Sequence, residues 1–272
     1  MLLASIILFP IVAFAVLLSF NQARFIMPAR VNAVPVPDTA LDYELLGMKT
    51  PDGNTIQGIL FRPAAPSPTL VLAFPGNMHN PIGFAQYLKT EVFAGQNVAI
   101  AAFSYRGYPN GITSPSTGMP SQKALFADSE LIYDTLVNRL QPAQVKAVGY
   151  SLGTAVATHL ATARPLNRLA LVAPVASVRR IAQERYPWLP VRLLLRHPFA
   201  TEDIIASIKV PTTIIYSPTD GLIPERHVTE ILHDANPSIP LIAVPDTNHV
   251  TLAISPQLPN LLKEALAVET PR

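Results

Sequence analysis

The sequence predicts one α/β domain built on an open, mostly parallel sheet with helices on both faces. Six apolar runs recur along the chain without polar alternation, and helix-forming stretches separate them; the runs are TLVLAF, NVAIAAFSY, VKAVGYS, RLALVAP, TTIIYS and IPLIAV. Such runs are expected where helices cover both faces of a parallel sheet. The 272 residues, 49% of them hydrophobic, are sufficient for one large core.

The composition excludes several classes of function. A net charge of +2 with only 14% charged residues provides no basic stripe, so nucleic acid is not an expected partner. The chain has no cysteine, which excludes disulfides, thiol nucleophiles and thiolate metal sites. No cluster of His, Asp or Glu has the spacing of metal ligands, so no metal is expected.

The first 20 residues, MLLASIILFPIVAFAVLLSF, contain no charged side chain. As a helix they would match a hydrocarbon core of about 30 Å, which predicts an uncleaved single-pass membrane anchor over residues 1–22. The alternative is a cleaved secretory signal and an exported protein, but the basic n-region is missing and Asn21 and Gln22 disrupt the cleavage site. Arg24 and Arg30 follow the helix and favour a cytoplasmic catalytic domain.

The elements after the anchor are predicted in chain order. Residues 23–40 are proline-spaced and indicate an extended tether, so the domain is expected to cover residues 41–272 and to fold without the helix. TPDG at 50–53 lies between two strand-like runs, and its Asp-Gly pair predicts an antiparallel hairpin. Helices are predicted at 82–93, 122–140, 152–163, 225–234 and 257–268. Functional residues are expected at the carboxyl ends of the parallel strands.

A serine occupies one of these strand ends. GYSLG at 149–153 fits the G-x-S-x-G pattern, in which flanking glycines allow a sharp strand-to-helix turn that exposes the serine. The alternative is a tight turn with Ser151 as a helix cap. Because an apolar strand precedes the pattern and a helix follows it, we predict that Ser151 is a nucleophile.

A serine nucleophile needs a base, and the base needs an acid to orient it. This pattern predicts the chain order Ser, Asp or Glu, then His. Asp220 follows one apolar strand and His249 follows the next, so both are expected at the same sheet edge. Asp246 is the rival acid, although a turn-stabilising role fits it better. The other histidines are assigned to helix, surface or substrate-contact positions: His79, His159, His197, His227 and His233.

Two backbone N–H groups are expected to form an oxyanion hole. The first belongs to Leu152, directly after the nucleophile, where the N-terminus of the following helix also favours negative charge. The second is expected in the loop LAFPGNMHNP, where Gly76 permits a turn and Asn77 is the natural donor. The alternative is a plain Pro-Gly turn.

Together these motifs resemble the α/β-hydrolase superfamily, and most closely its membrane-anchored group of Bem46-like and ABHD13/ABHD17-like serine hydrolases. The motifs occur in the order of that family, and the resemblance covers nearly the whole chain from Arg24 onward. They are TPDG, FPGN, FSYRGY at 103–108, GYSLG, PTDGLIP and the dipeptide Asn248-His249. The resemblance implies Ser151 as nucleophile, Asp220 as acid and His249 as base, and it implies no cofactor. Pro75 replaces the histidine that usually precedes Gly76.

A long connection at about 175–207 contains the only tryptophan and several leucines. It predicts a small helical lid that shapes an acyl pocket, or else a helix pair packed on the domain. Its arginines could meet lipid headgroups or keep the insertion soluble; they are Arg179, Arg180, Arg192 and Arg196.

These features predict a monomeric, membrane-tethered serine hydrolase that cleaves carboxylic esters or thioesters of lipid-like or other acyl substrates through an acyl-enzyme. Acyl transfer on the same triad is one alternative. A catalytically silent, membrane-tethered binding protein is another.

Overall fold

The sheet described here comes from a computed structural model, which describes residues 21–30, 37–66, 68–109 and 111–268. The strands are β1 (Tyr43–Lys49), β2 (Thr55–Phe61), β3 (Thr69–Phe74), β4 (Val98–Phe103), β5 (Gln144–Tyr150), β6 (Arg168–Val172), β7 (Thr212–Tyr216) and β8 (Leu241–Ala243). Their order across the sheet is β1-β2-β4-β3-β5-β6-β7-β8. β2 is antiparallel to both β1 and β4, and all other neighbours are parallel. The prediction of a mostly parallel sheet is confirmed.

The predicted hairpin at TPDG connects β1 to β2. Lys49 pairs with Thr55 at its end, and the N–H of Thr50 donates to the carbonyl of Asn54 at 2.9 Å. Gly53 has a φ of 84°, a left-handed conformation that a residue with a Cβ rarely adopts. The Asp-Gly pair therefore closes the turn as the sequence indicated.

The helices are α1 (Pro81–Tyr87), α2 (Gln122–Leu140), α3 (Leu152–Ala163), α4 (Val178–Arg185), α5 (Val191–Leu194), α6 (His233–Ala235) and α7 (Leu258–Ala265). π-helical turns extend α1 through Leu88–Val92 and precede α6 at His227–Leu232, while 3₁₀ turns occupy Thr201–Asp203, Ile205–Ser207 and Thr251–Ile254. α2 and α3 have the predicted bounds. The side chain of Ser121 caps α2 by accepting from the N–H of Ala124 at 3.1 Å, which explains the sharp start of this helix.

Apolar side chains from the two faces of the sheet enter two separate cores. In β3, Leu70 and Leu72 pack into the core on the side of α3, whereas Val71 and Ala73 pack with Ile82 of α1 on the other side. Because both faces of the strand are buried, every position in it favours an apolar residue. This arrangement explains the unbroken apolar runs of the sequence.

The segment before the domain differs from the expected tether. Residues 21–26 are helical, Met27 is only 1% exposed in the core, and Gln22 joins the insertion by donating to the carbonyl of Leu194 at 3.1 Å and accepting from the N–H of Arg196 at 2.6 Å. One buried methionine among prolines leaves no periodic signal, so the sequence pattern did not predict this packing. Residues 31–36 of the expected tether lie outside the described residues.

The predicted membrane helix lies outside the described part of the chain, except for residues 21 and 22. Among the residues that are described, none of the helices combines the length and the apolar character needed to cross a bilayer.

The connection from β6 to β7, the predicted insertion, contains α4, α5 and the first two 3₁₀ turns. Arg179 and Arg180 form ion pairs with Glu202 at 2.9 and 2.7 Å, so two of the arginines considered for lipid contact are paired within the insertion. His227, expected at the surface, is fully buried. Glu184 of α4 covers it, with the carboxylate 3.0 Å from Nε2 of His227.

Candidate active site

Ser151 forms a sharp turn between β5 and α3. Its φ of 49° and ψ of −118° are rare for a residue with a side chain. The N–H of Ser151 donates to the carbonyl of Val172 in the neighbouring strand at 2.9 Å. The turn holds the serine at the carboxyl edge of the sheet, and the residue is 8% exposed.

The two glycines that flank Ser151 are required for close packing. A Cβ added to Gly153 would lie 2.0 Å from the carbonyl oxygen of Phe74, and one added to Gly149 would lie 2.6 Å from the carbonyl oxygen of Gly153. Ser151, rather than either glycine, is the residue with positive φ. This corrects the interpretation that the glycines themselves make the turn: they let strand, helix and loop approach one another.

His249 lies between the other two predicted residues. Its Nε2 is 2.9 Å from Oγ of Ser151, and its Nδ1 is 2.7 Å from Oδ2 of Asp220. Both distances are within hydrogen-bond range. The structure therefore brings Ser151, His249 and Asp220 into one continuous chain of polar contacts, although 98 residues separate the serine from the histidine.

Asp220 is held as a carboxylate by its surroundings. Its Oδ1 accepts from the backbone N–H groups of Leu222 and Ile223, each at 2.8 Å. Burial raises the pKa of Asp220, but hydrogen bonds from His249 and these N–H groups outweigh burial and hold the pKa below its usual value. Asp246, the rival acid, lies in an exposed turn with a φ of 57°. The carboxylate that meets His249 belongs to Asp220.

Three further hydrogen bonds tie the site loops together. The hydroxyls of Ser217 and Thr219, beside Asp220, both donate to the carbonyl of Thr247 at 2.5 Å. The hydroxyl of Tyr150, directly before Ser151, donates to the carbonyl of His249 at 2.6 Å. Each loop is thus positioned by direct contact with its neighbour.

The two predicted oxyanion donors flank the same turn. Leu152 begins α3, and Asn77 follows Gly76, where an added Cβ would lie 3.3 Å from Cβ of Ser151. Within the described residues, neither backbone N–H donates to a protein acceptor. Both groups are therefore available to an incoming oxygen atom.

The FSYRGY motif supports this region, a function that sequence reasoning missed. The hydroxyl of Tyr105 donates to the carbonyl of Pro75 at 2.7 Å, and the hydroxyl of Tyr108 donates to Oδ1 of Asn77. Arg106 forms a bidentate pair with the buried Asp128, at 2.7 and 2.8 Å, and also binds Asp52. The signal was present, because the motif begins at Phe103, the last residue of β4. β4 pairs with β3, which ends at Phe74, directly before Pro75.

The remaining histidines are not part of this chain of contacts. His79 packs against Tyr150 at a tilt of 43°, with ring centroids 4.5 Å apart, and burial, with a smaller effect of His249, lowers the pKa of His79. His159 stacks on Phe126 at 4.1 Å and contacts Glu130 at 2.9 Å. His197 lies beside α2, where Nδ1 accepts from the N–H of Gln122 at 3.4 Å, and His233 begins α6. In the ranges that the structure describes, no three His, Asp or Glu residues are grouped as a metal site requires.

Comparisons with known proteins identify relatives of modest similarity. No family model matches the chain. An uncharacterized protein of Mycobacterium tuberculosis is 31% identical over 157 residues, which cover 57% of this chain and 54% of that protein. The lysophosphatidylserine lipase ABHD12 of Danio rerio is 24% identical over 230 residues, 74% of this chain and 59% of the lipase. The chain thus matches between half and three-fifths of the length of these two relatives.

A plant relative and two solved structures match over more of their length. The α/β-hydrolase domain-containing protein WAV2 of Arabidopsis thaliana is 26% identical over 264 residues, 88% of this chain and 80% of that protein. The Pyrococcus furiosus esterase Pf2001 has a TM-score of 0.67 at 17% identity, over 88% of this chain and 95% of the esterase. An α/β-hydrolase of Vibrio vulnificus has a TM-score of 0.67 at 18% identity, over 93% and 94% of the two chains. The chain therefore has the α/β-hydrolase fold, and its sequence is similar to that of a protein named α/β-hydrolase domain-containing.

Proposed function

We propose that this protein is a serine hydrolase that cleaves carboxylic esters or thioesters through an acyl-enzyme. The observation that carries the proposal is the position of His249, within 2.9 Å of the hydroxyl of Ser151 and 2.7 Å of the carboxylate of Asp220. A serine hydroxyl is a weak nucleophile at neutral pH, and an adjacent imidazole activates it by accepting its proton. The carboxylate fixes the imidazole tautomer that leaves Nε2 free to accept.

In the proposed mechanism, Oγ of Ser151 attacks the carbonyl carbon while its proton moves to Nε2 of His249. The negative charge on the substrate oxygen is stabilised by the N–H groups of Asn77 and Leu152. His249 then returns the proton to the leaving alcohol or thiol, and the acyl group remains on Ser151. Water, deprotonated by His249, attacks the acyl-enzyme, and His249 returns that proton to Oγ of Ser151 as the acid is released.

The substrate is proposed to be a lipid-like acyl ester. Two observations support this class: a relative is named a lysophosphatidylserine lipase, and the first 20 residues of the chain are uncharged and apolar. We propose that this run anchors the protein in a membrane as in the membrane-anchored group of the family, with the domain on the cytoplasmic side, and that the insertion acts as a lid. The enzyme would then meet acyl chains at the bilayer surface.

Serine-directed labelling tests the proposal. A fluorophosphonate probe should label the wild-type protein at Ser151, and Ser151→Ala should lose both labelling and hydrolysis of a soluble ester by several orders of magnitude. Ser238→Ala, which changes an exposed serine before β8, should retain both activities. Wild-type turnover in a folded Ser151→Ala protein would refute the mechanism. Adding a lysophospholipid and an acceptor alcohol separates hydrolysis from acyl transfer by the product formed.

A further inference from the structure

The side chain of Asn77 has partners that its proposed function does not explain. Its Nδ2 donates to the carbonyl of Ile26 at 2.6 Å, and its Oδ1 accepts from the hydroxyl of Tyr108. A backbone N–H is present in every residue except proline, so an oxyanion donor alone does not require an asparagine. The oxyanion role of the backbone therefore does not explain why the side-chain amide makes these two hydrogen bonds.

Tyr108 links the loop of Asn77 to the segment before the domain. Its side chain is buried in the same core as Met27, and it lies edge-on to the ring of Tyr105 with centroids 5.8 Å apart. Burial raises the pKa of Tyr108 above its usual value, with a smaller opposing hydrogen bond to the backbone of Ala29. The hydroxyl therefore keeps its proton and remains a donor to Asn77.

The loop that contains Asn77 is also restrained at Pro75 and at Gly76. Tyr105 donates to the carbonyl of Pro75 at 2.7 Å. A Cβ added to Gly76 would lie 3.2 Å from the ring of Tyr150 and 3.3 Å from Cβ of Ser151. The backbone between Pro75 and Asn77 is therefore held against the serine turn on one side and by two tyrosines on the other.

We infer that the side-chain amide of Asn77, clamped between the hydroxyl of Tyr108 and the carbonyl of Ile26, positions the N–H of Asn77 for the oxyanion. Tyr108 is then a positioning residue of the reaction, and the segment before the domain is a structural part of the active site. This inference rests on the proposed function. Residues 26, 77 and 108 then act together to hold one backbone N–H in place, and none of their side chains needs to contact the substrate.

The size of the effect follows from the geometry of oxyanion stabilisation. Donors act at about 2.7–3.1 Å from the developing charge, and complete loss of one donor lowers kcat by about 10²–10³-fold. Tyr108→Phe removes one of the two clamps and should lower kcat by about 10-fold. Asn77→Ala keeps the N–H but removes both clamps, and should lower kcat by about 30–100-fold. KM for a small soluble ester should change less than threefold, because neither side chain is expected to contact the substrate.

The experiment measures kcat, KM and inhibition by an alkyl boronic acid, a transition-state analogue, on the full-length protein. Tyr133→Phe is the matched control, because it also removes a buried tyrosine hydroxyl that donates one hydrogen bond. The acceptor is the carbonyl of Pro165, at 2.8 Å and outside the site. The control should lose comparable stability and keep wild-type kcat. The double variant Asn77→Ala, Tyr108→Phe should be no slower than Asn77→Ala alone, because Asn77→Ala already removes the hydrogen bond that Tyr108→Phe breaks.

Each outcome decides the inference. A loss of kcat and of boronate affinity in Tyr108→Phe and Asn77→Ala, with KM retained and the control unaffected, supports it. If kcat and boronate affinity of both variants lie within twofold of the control, the inference is overturned. It is also overturned if the losses in kcat of the two single variants multiply in the double variant. If fluorophosphonate labels wild-type Ser151 while the variants behave like the control, the inference fails and the proposed function stands. If the wild-type protein is not labelled, both fail.

Discussion

At the scale of single residues, Ser151 meets two opposing requirements. Its positive φ is a conformation that costs about 1–3 kcal/mol in a residue with a side chain, and the same turn brings Oγ to 2.9 Å from His249. The hydrogen bond to Val172 and the close packing of Gly149 and Gly153 hold the backbone in this state. The stability of the surrounding sheet thus maintains a local geometry that the isolated sequence would not favour.

The two aspartates near His249 are separable by mutation. Asp220→Asn should preserve the backbone but favour the wrong imidazole tautomer, and we expect turnover at neutral pH to fall by about 10⁴-fold. Asp246→Asn is the matched control, since it changes an exposed turn residue, and turnover should fall less than threefold. Steady-state kinetics on both folded variants checks this. A larger loss in Asp246→Asn would transfer the acid role to Asp246.

The positions of the candidate site residues could be predicted because each follows an apolar strand. The parallel sheet then brings strand ends together, as it does for Ser151, Asp220 and His249. The contacts of Asn77 with Tyr108 and Ile26 could not be predicted, because they depend on side chains that meet across strands. The burial of His227 likewise depends on Glu184, which lies 43 residues away in the insertion. Local patterns contain no information about such pairs.

At the scale of elements, the insertion is held by charges that titrate. Glu202 is nearly buried and bonds both Arg179 and Arg180 of α4. Burial raises the pKa of Glu202, but the hydrogen bonds from the two arginines outweigh it, so the pKa is lowered. A carboxylate with a lowered folded pKa stabilises the fold above its unfolded pKa, and this contribution is lost as the pH falls through the folded value.

Glu202→Gln should therefore destabilise the protein at neutral pH by about 1–3 kcal/mol, the range for hydrogen bonds to charged groups. The difference from wild type should shrink as the pH falls below about 4.3, the pKa of glutamate in an unfolded chain, and on through the lower folded pKa, where the wild-type carboxylate becomes protonated. Urea unfolding at neutral pH and at acidic pH measures this difference in the free energy of unfolding. Glu230→Gln, at an exposed position, is the control and should differ little from wild type at either pH. A difference that is independent of pH would contradict the role of the charge.

The elements themselves were largely predictable, with failures where the chain departs from regular periods. α2 and α3 were predicted at both ends because each begins at a clear boundary, the cap at Ser121 and the turn at Ser151. The helices predicted at 82–93 and 225–234 contain π-helical turns. A π-helical turn contains an extra residue, which shifts the helical period. A search for apolar residues at a period of 3.6 therefore does not predict it.

At the scale of the whole molecule, residues 21–30 belong to the folded domain. A chain starting at Asn21 should keep the thermal midpoint of the full-length protein and hydrolyse a soluble ester within about twofold of its rate. A chain starting at Leu41 also loses Met27, which is 1% exposed, and should be destabilised by about 2–5 kcal/mol, the range for truncating a buried methionine. Equal stability of the two shortened chains would show that the segment is dispensable.

The same two proteins test the proposed membrane anchor. The full-length chain should sediment with membranes and the chain starting at Asn21 should not, because a spanning apolar helix binds far more firmly than a surface contact. Met27→Ala in the full-length protein is the control: it should reduce stability and leave membrane association unchanged. A mature N-terminus after residue 20, or cleavage of the domain by external protease, would establish export instead.

The hydrogen bonds from Tyr150, Ser217 and Thr219 to the carbonyls of His249 and Thr247 have a consequence for how such proteins diversify. They fix the spacing of Ser151, His249 and Asp220 through the loops that carry these residues. The insertion between β6 and β7 can therefore be lengthened, shortened or exchanged over evolutionary time without resetting that spacing. If the proposed function holds, substrate range and site geometry are inherited as separable traits, and a transplanted insertion should change the acyl preference without changing the spacing of the three residues.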